Sequence, residues 1–130
     1  MPNRALDWLK QALKNLNHAE GSRKNGDHEW ACFAAHQAGE KAVKALHLYR
    51  GQEAWGHVIA RLLKDLPEDI EVSDELIEKA KVLDNFYIPS RHPDSHPEGA
   101  PFEHYGSLQS GEAIKYAGEI IAFVRSQMAT

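Results

Sequence analysis

Alanine recurs at Ala31, Ala34, Ala35, Ala38, Ala42 and Ala45, with Gly39 among them, through one uninterrupted run of helix-compatible residues. Small side chains on more than one face let neighbouring helices approach closely, so this stretch fits the central helix of a bundle better than a half-exposed surface helix. Trp30, Phe33, Val43, Leu46 and Tyr49 supply bulk along the same run. The spacing predicts a helix over about 27–50, with Asp27 as N-cap, Glu29 in the first turn and Gly51 ending it in a left-handed cap. With 42% apolar and 26% charged residues in 130, the chain can enclose a core of its own, and disorder is excluded as a description of the whole.

The remaining helices follow from periodicity. Leu6, Leu9, Leu13 and Leu16 are spaced as one helical face, with Lys10, Lys14 and Asn17 on the other side. Gly21 and the polar residues after it read as a turn. Val58, Leu62 and Leu66, with Ile59 and Leu63 beside them, predict a short helix over 57–66 that Pro67 stops. Ser73 caps a further helix with Asp74 and Glu75 in its first turn and Leu76, Ala80, Leu83 and Tyr87 as its apolar stripe. The last helix starts near Ser107 or Ser110 and turns Ile114, Ala117, Ile121 and Val124 inward. The expected fold is all-α: an up-and-down four-helix bundle in one domain, 1–130, with an additional short helix and a long ordered loop before the last helix.

Several classes of function are disfavoured at this point. A formal net charge of −4 gives no global basic footprint for nucleic acid, so any such contact needs a local patch. Lys41, Lys44, Arg50, Arg61 and Lys64 are one candidate, with a solvated face as the plainer reading. Apolar runs fall short of the roughly 18 residues of a membrane span. The opening residues carry charge where a secretory leader would be apolar, and the lone Cys32 has no partner for an internal disulfide. A cytoplasmic protein is expected.

One connection breaks the regular pattern. Residues 88–106 read Ile-Pro-Ser-Arg-His-Pro-Asp-Ser-His-Pro-Glu-Gly-Ala-Pro-Phe-Glu-His-Tyr-Gly. Connections this long are uncommon in compact domains and are usually functional or disordered. Pro89, Pro93, Pro97 and Pro101 lower the entropy lost on ordering it. It carries Arg91, His92, Asp94, His96 and His104. Arginine offers a permanently charged planar fork that suits phosphate, and histidine exchanges protons near neutrality. The two suffice to cleave an RNA phosphodiester without metal or cofactor, one moving a proton and the other offsetting charge on the phosphorus oxygens. Plainer roles stand beside these. Arg91 could clamp Asp94 or helix carbonyls, Asp94 could cap a turn, and His92 could make an ordinary loop contact or stack on a base. His92 and His96 share the spacing of helical zinc ligands, but Pro93 and Pro97 disfavour the helix that spacing needs, so no metal is expected.

The segment from Tyr87 to His96, Tyr-Ile-Pro-Ser-Arg-His-Pro-Asp-Ser-His, resembles the signature of the HEPN domains (higher eukaryotes and prokaryotes nucleotide-binding), an arginine followed four to six residues later by histidine. Arg91 and His96 match it. The run is similar to the subgroup with Arg-Tyr-Pro-Asp, with His92 standing in place of the tyrosine, and the segment from Trp30 to Leu46 resembles the family's central helix. The resemblance implies a bundle that dimerises and brings two motifs to one cleft. It further implies, for many members, metal-independent endoribonuclease activity as the toxin of a toxin–antitoxin pair, with a small nucleotidyltransferase as partner. Arg91 and His96 would then be catalytic, with Asp94, His92, Tyr87, Glu40 and Lys41 in support, the last two orienting the loop. Toxins with the fullest pattern end in His-x-Tyr, whereas Pro97 and Glu98 follow His96. The alternative is a module that binds a nucleotide or the nucleotidyltransferase and cleaves nothing.

Overall fold

The computed structural model describes residues 3–128, so the outermost two residues at each end of the expected 1–130 domain lie outside it. Six α-helices follow one another: α1 (Ala5–Lys24), α2 (His28–Tyr49), α3 (Ile59–Lys64), α4 (Asp74–Asp84), α5 (Pro101–His104) and α6 (Ser107–Met128). Among the described residues there is no strand. The four long helices make the expected bundle, and α2 packs against all five others.

That position explains the composition of α2. Ala31, Ala34, Ala35, Ala38, Ala42 and Ala45 are all buried, whichever face they lie on. Gly39 marks the tightest approach: a Cβ there would stand 3.0 Å from Ile59 Cδ1, 3.6 Å from Leu83 Cδ1 and 3.8 Å from Ile120 Cδ1. Three other helices therefore converge on one backbone position of α2. Beyond Tyr49 the chain turns at Gly51, whose φ of +78° is the left-handed cap the sequence predicts, and Gln52 N donates to His47 O at 2.9 Å.

Two expectations about α1 fail. The helix does not stop at Gly21 but continues to Lys24 and turns at Gly26, with φ +82°, where Asp27 N donates to Ser22 O. A single interior glycine costs about 1 kcal/mol in a helix, and here the burial of Ala19 and Ser22 on either side of it carries the helix through. Leu6 points to solvent, because Ala5, Leu9, Ala12 and Ala19 form the buried stripe one position over.

The short helix also differs from its predicted span. It starts at Ile59 rather than His57, and Val58 is exposed. The reason lies in another element: the Asp84 carboxylate, at the end of α4, accepts from Ile59 N at 2.7 Å and Ala60 N at 3.0 Å. A carboxylate at a helix N-terminus satisfies orphan amides and complements the dipole, so Asp84 sets where α3 begins. Ser73 caps α4 as predicted, its hydroxyl accepting from Leu76 N at 3.1 Å.

The 88–106 connection is ordered into short helical pieces, a 3-10 turn at Pro93–Ser95 and then α5, each with proline in its first turn. The α4 and α6 helices are tied by Lys79, whose ammonium bonds Glu119 at 2.8 Å and Glu75 at 2.9 Å. Among the described residues no helix is long and apolar enough to cross a membrane.

Candidate functional site

After α4 the chain continues in turns, and Arg91 N donates to Ile88 O at 3.0 Å, which sets the Arg91 side chain back over Tyr87. Its Nε donates to Tyr87 O at 3.0 Å. The guanidinium carbon lies 4.3 Å from the Phe33 ring centroid and 4.9 Å from that of Tyr87. Those two rings are stacked, 6.1 Å apart at 28°, and Trp30 meets Phe33 edge-on. Among the described residues the terminal nitrogens of Arg91 meet no carboxylate. Of the two structural roles the sequence leaves open, the carbonyl contact is made and the Asp94 clamp is not.

Next to Tyr87 lies a polar network based on α2. His36, fully buried, has Nε2 3.0 Å from His57 O and 3.3 Å from Asp84 Oδ1, while Gln37 Nε2 lies 3.3 Å from its Nδ1. Both oxygens accept, so Nε2 carries the hydrogen. Lys41 donates to Gln37 Oε1 at 3.3 Å, and its partial burial lowers its proton affinity below the ordinary lysine value, with the Glu40 charge opposing this and the Lys44 charge adding to it. Glu40, only 4% exposed, places Oε1 3.0 Å from His57 Nδ1 and Oε2 3.0 Å from Lys44 Nζ. His57 in turn stacks on Tyr87, centroids 5.0 Å apart at 19°. Glu40 thus fixes the connection between α2 and α3 and, among the described residues, makes no hydrogen bond to the 88–106 connection.

His96 belongs to a second aromatic group. Its Nε2 is 2.7 Å from Pro89 O, and its ring stacks face to face on His104 at 4.1 Å and 6°. Tyr105 meets it edge-on at 6.0 Å and also meets Phe86. His104 Nε2 is likewise held, 2.6 Å from Glu98 O. Because a carbonyl only accepts, both rings carry hydrogen on Nε2 and leave Nδ1 as the open position when neutral. Within one chain, then, Arg91 and His96 sit in separate clusters. His92 and Asp94 are exposed, and Asp94 lies in the 3-10 turn without a side-chain cap bond. The basic group on α2 and α3 is largely neutralised locally, Lys44 by Glu40, Arg50 by Asp69 and Arg61 by Asp65. Among the described residues no three potential metal ligands gather.

The HEPN domain model matches residues 5–127. This chain belongs to the HEPN family. Solved structures match nearly all of it. A protein from Thermus thermophilus is 57% identical with a TM-score of 0.95, covering 97% of this chain and 99% of its own. An archaeal HEPN homologue is 39% identical with a TM-score of 0.81, covering 98% and 99%. An HEPN domain protein from Thermotoga maritima is 32% identical with a TM-score of 0.77, covering 95% and 98%. No curated protein matches the chain.

Three residues of this HEPN domain were not singled out from sequence as parts of a site. Phe33 reads as core bulk, yet it is half of the platform under Arg91. Asp84 carries no sequence signal of its own, and His57 reads as the start of a helix. Each acts on a partner 17 to 58 positions away. Glu40 and Lys41 did give a signal, as charged residues on an otherwise apolar helix.

Proposed function

We propose that this HEPN protein binds RNA at Arg91 and cleaves it without a metal ion, through Arg91 and His96 contributed by two copies of the chain. The observation that carries the reading is the state of Arg91: a cation laid on two aromatic rings, with only Nε committed. Its terminal nitrogens suit a phosphate, and the flanking rings suit a base or ribose face. His96, held at Nε2, has Nδ1 open to exchange a proton with the ribose 2′-hydroxyl or the leaving oxygen. Pairing of two copies brings the separate clusters of one chain to the complementary clusters of the other. Exposed Trp30, Ile88, Phe102 and Leu108, on or beside the segments that carry these clusters, supply an apolar contact for it. On the same reading the chain falls in the subgroup with an Arg-(Tyr/His)-Pro-Asp loop, the whole length acts as one unit in the cytoplasm, and a small nucleotidyltransferase restrains it as an antitoxin.

Purified protein is expected to cut single-stranded RNA in the presence of chelator, leaving 2′,3′-cyclic phosphate ends. His96→Ala lowers the rate by roughly 10²–10⁴, the usual worth of one acid–base group, while leaving the far-ultraviolet spectrum unchanged. Undiminished cleavage by that variant sinks the assignment of His96. The separation of Arg91 from His96 within a chain also favours a second reading, in which the Arg91 platform binds a nucleotide or partner and breaks no bond. Calorimetric binding that Arg91→Ala weakens, without any cleavage by the wild type, selects it.

A further inference from the structure

The Glu40–His57 pair has the form of a proton-transfer couple rather than of a structural tie alone. A carboxylate only accepts, so the hydrogen of neutral His57 lies on Nδ1, directed at Glu40 Oε1 over 3.0 Å. Nε2 is left unprotonated and, among the described residues, without a partner. The Glu40 side chain is 5% exposed and the His57 side chain 56%, so the couple runs from a buried anion to a solvent-facing base. Lys44 holds the second carboxylate oxygen at 3.0 Å, which fixes the carboxylate plane. The His57 ring lies on Tyr87, the same ring that the Arg91 guanidinium covers. Base and cation therefore stand no further apart than the 5.0 Å and 4.9 Å spacings laid end to end, a reach that a ribose and its phosphate span.

We propose that His57, oriented by Glu40, is the base that activates the ribose 2′-hydroxyl at the Arg91 site; this rests on the ribonuclease reading above. His57 Nε2 takes the 2′-hydroxyl proton as the 2′-oxygen bonds to the adjacent phosphorus. The bond from phosphorus to the 5′-oxygen of the next nucleotide breaks, and that oxygen leaves with the Nδ1 proton of an imidazolium His96 contributed by the second copy. The products are a 2′,3′-cyclic phosphate and a 5′-hydroxyl. Glu40 stabilises the imidazolium formed in passing, and Arg91 offsets charge on the phosphorus oxygens.

The test is RNA cleavage by the full chain as wild type, His57→Gly, Glu40→Gln and His96→Ala, each with and without added imidazole. His57→Gly is expected to cleave roughly 10²–10⁴ more slowly, the span of one general base. Free imidazole restores part of that rate, which a purely structural role would not allow. His57→Gly cleaving as fast as the wild type while His96→Ala is dead overturns this inference and leaves the ribonuclease reading standing. A wild type that does not cleave removes both. Nitrogen-15 spectra of the histidine rings give a reading independent of turnover: His57 carries its hydrogen on Nδ1 in the wild type, and loss of that preference in Glu40→Gln is expected. A wild-type His57 protonated on Nε2 overturns the couple whatever the cleavage assay gives.

Discussion

At the scale of single residues, the chain keeps its reactive groups in contrasting environments. Arg91 is partly exposed and free of carboxylates, His57 faces solvent from a buried anion, and Cys32 is fully enclosed. Burial, with the Glu29 charge adding to it, pushes the Cys32 thiol up to about 12 from 9.0. Two outcomes follow. Native protein resists thiol-directed alkylation at pH 8, and the reagent reacts only when denaturant is added. The unfolded thiol ionises above pH 9 while the folded one stays protonated, so the folded chain holds the extra proton. Stability from this group is complete below pH 9 and falls as pH rises toward 12, which urea titrations across that range measure. Full reactivity of the native thiol at pH 8 contradicts the enclosure. Cys32 was legible from the sequence as a buried apolar residue, since its neighbours on the helix are alanine and phenylalanine. Arg91 and His96 were legible as a motif. Of the two rings under Arg91, Tyr87 was within the motif, whereas Phe33 was not legible because it comes from α2, 58 positions away.

Among elements, the division between what the sequence shows and what it hides follows the range of the interactions. The α2 and α4 helices are written locally, in caps at Ser73 and Gly51 and in stripes of the right period, although α4 ends at Asp84 and leaves Tyr87, expected in its stripe, in the turn beyond. The α3 helix is not written locally. With six residues it is too short to hold itself, and its start is set by Asp84. Replacing Asp84 with alanine removes two charge-assisted bonds to amides and the contact to His36, and is expected to cost roughly 2–3 kcal/mol. Urea unfolding measures the loss, and amide exchange at Ile59 and Ala60 should accelerate before that of the α2 core. Unchanged protection at those two amides rules out the cap. Periodicity failed at Gly21 for the same reason, since packing against α2 carries α1 through a residue whose own preference is to stop.

For the molecule as a whole, the ribonuclease proposal requires two chains, and the exposed apolar side chains give a way to test pairing apart from catalysis. Leu108 is 80% exposed at the start of α6. Leu108→Asp should leave monomer stability within about 0.5 kcal/mol, as for ordinary surface changes. In sedimentation velocity the variant should run as a monomer at concentrations where the wild type runs as a dimer, with RNA cleavage falling in step. A variant that still pairs and still cuts moves the contact elsewhere on the surface.

The reach of Asp84 across the chain has a bearing on synthesis. Twenty-five positions separate it from the first amide it receives, and the His57 carbonyl bonds the same buried imidazole that touches it. While the chain is still emerging and stops short of that aspartate, the amides of Ile59 and Ala60 lack their acceptor and α3 has no cap to start from. A truncated or half-made polypeptide consequently lacks a defined start to α3, which comes only once α4 is made. The order of translation thereby makes that segment one of the later parts of the bundle to settle.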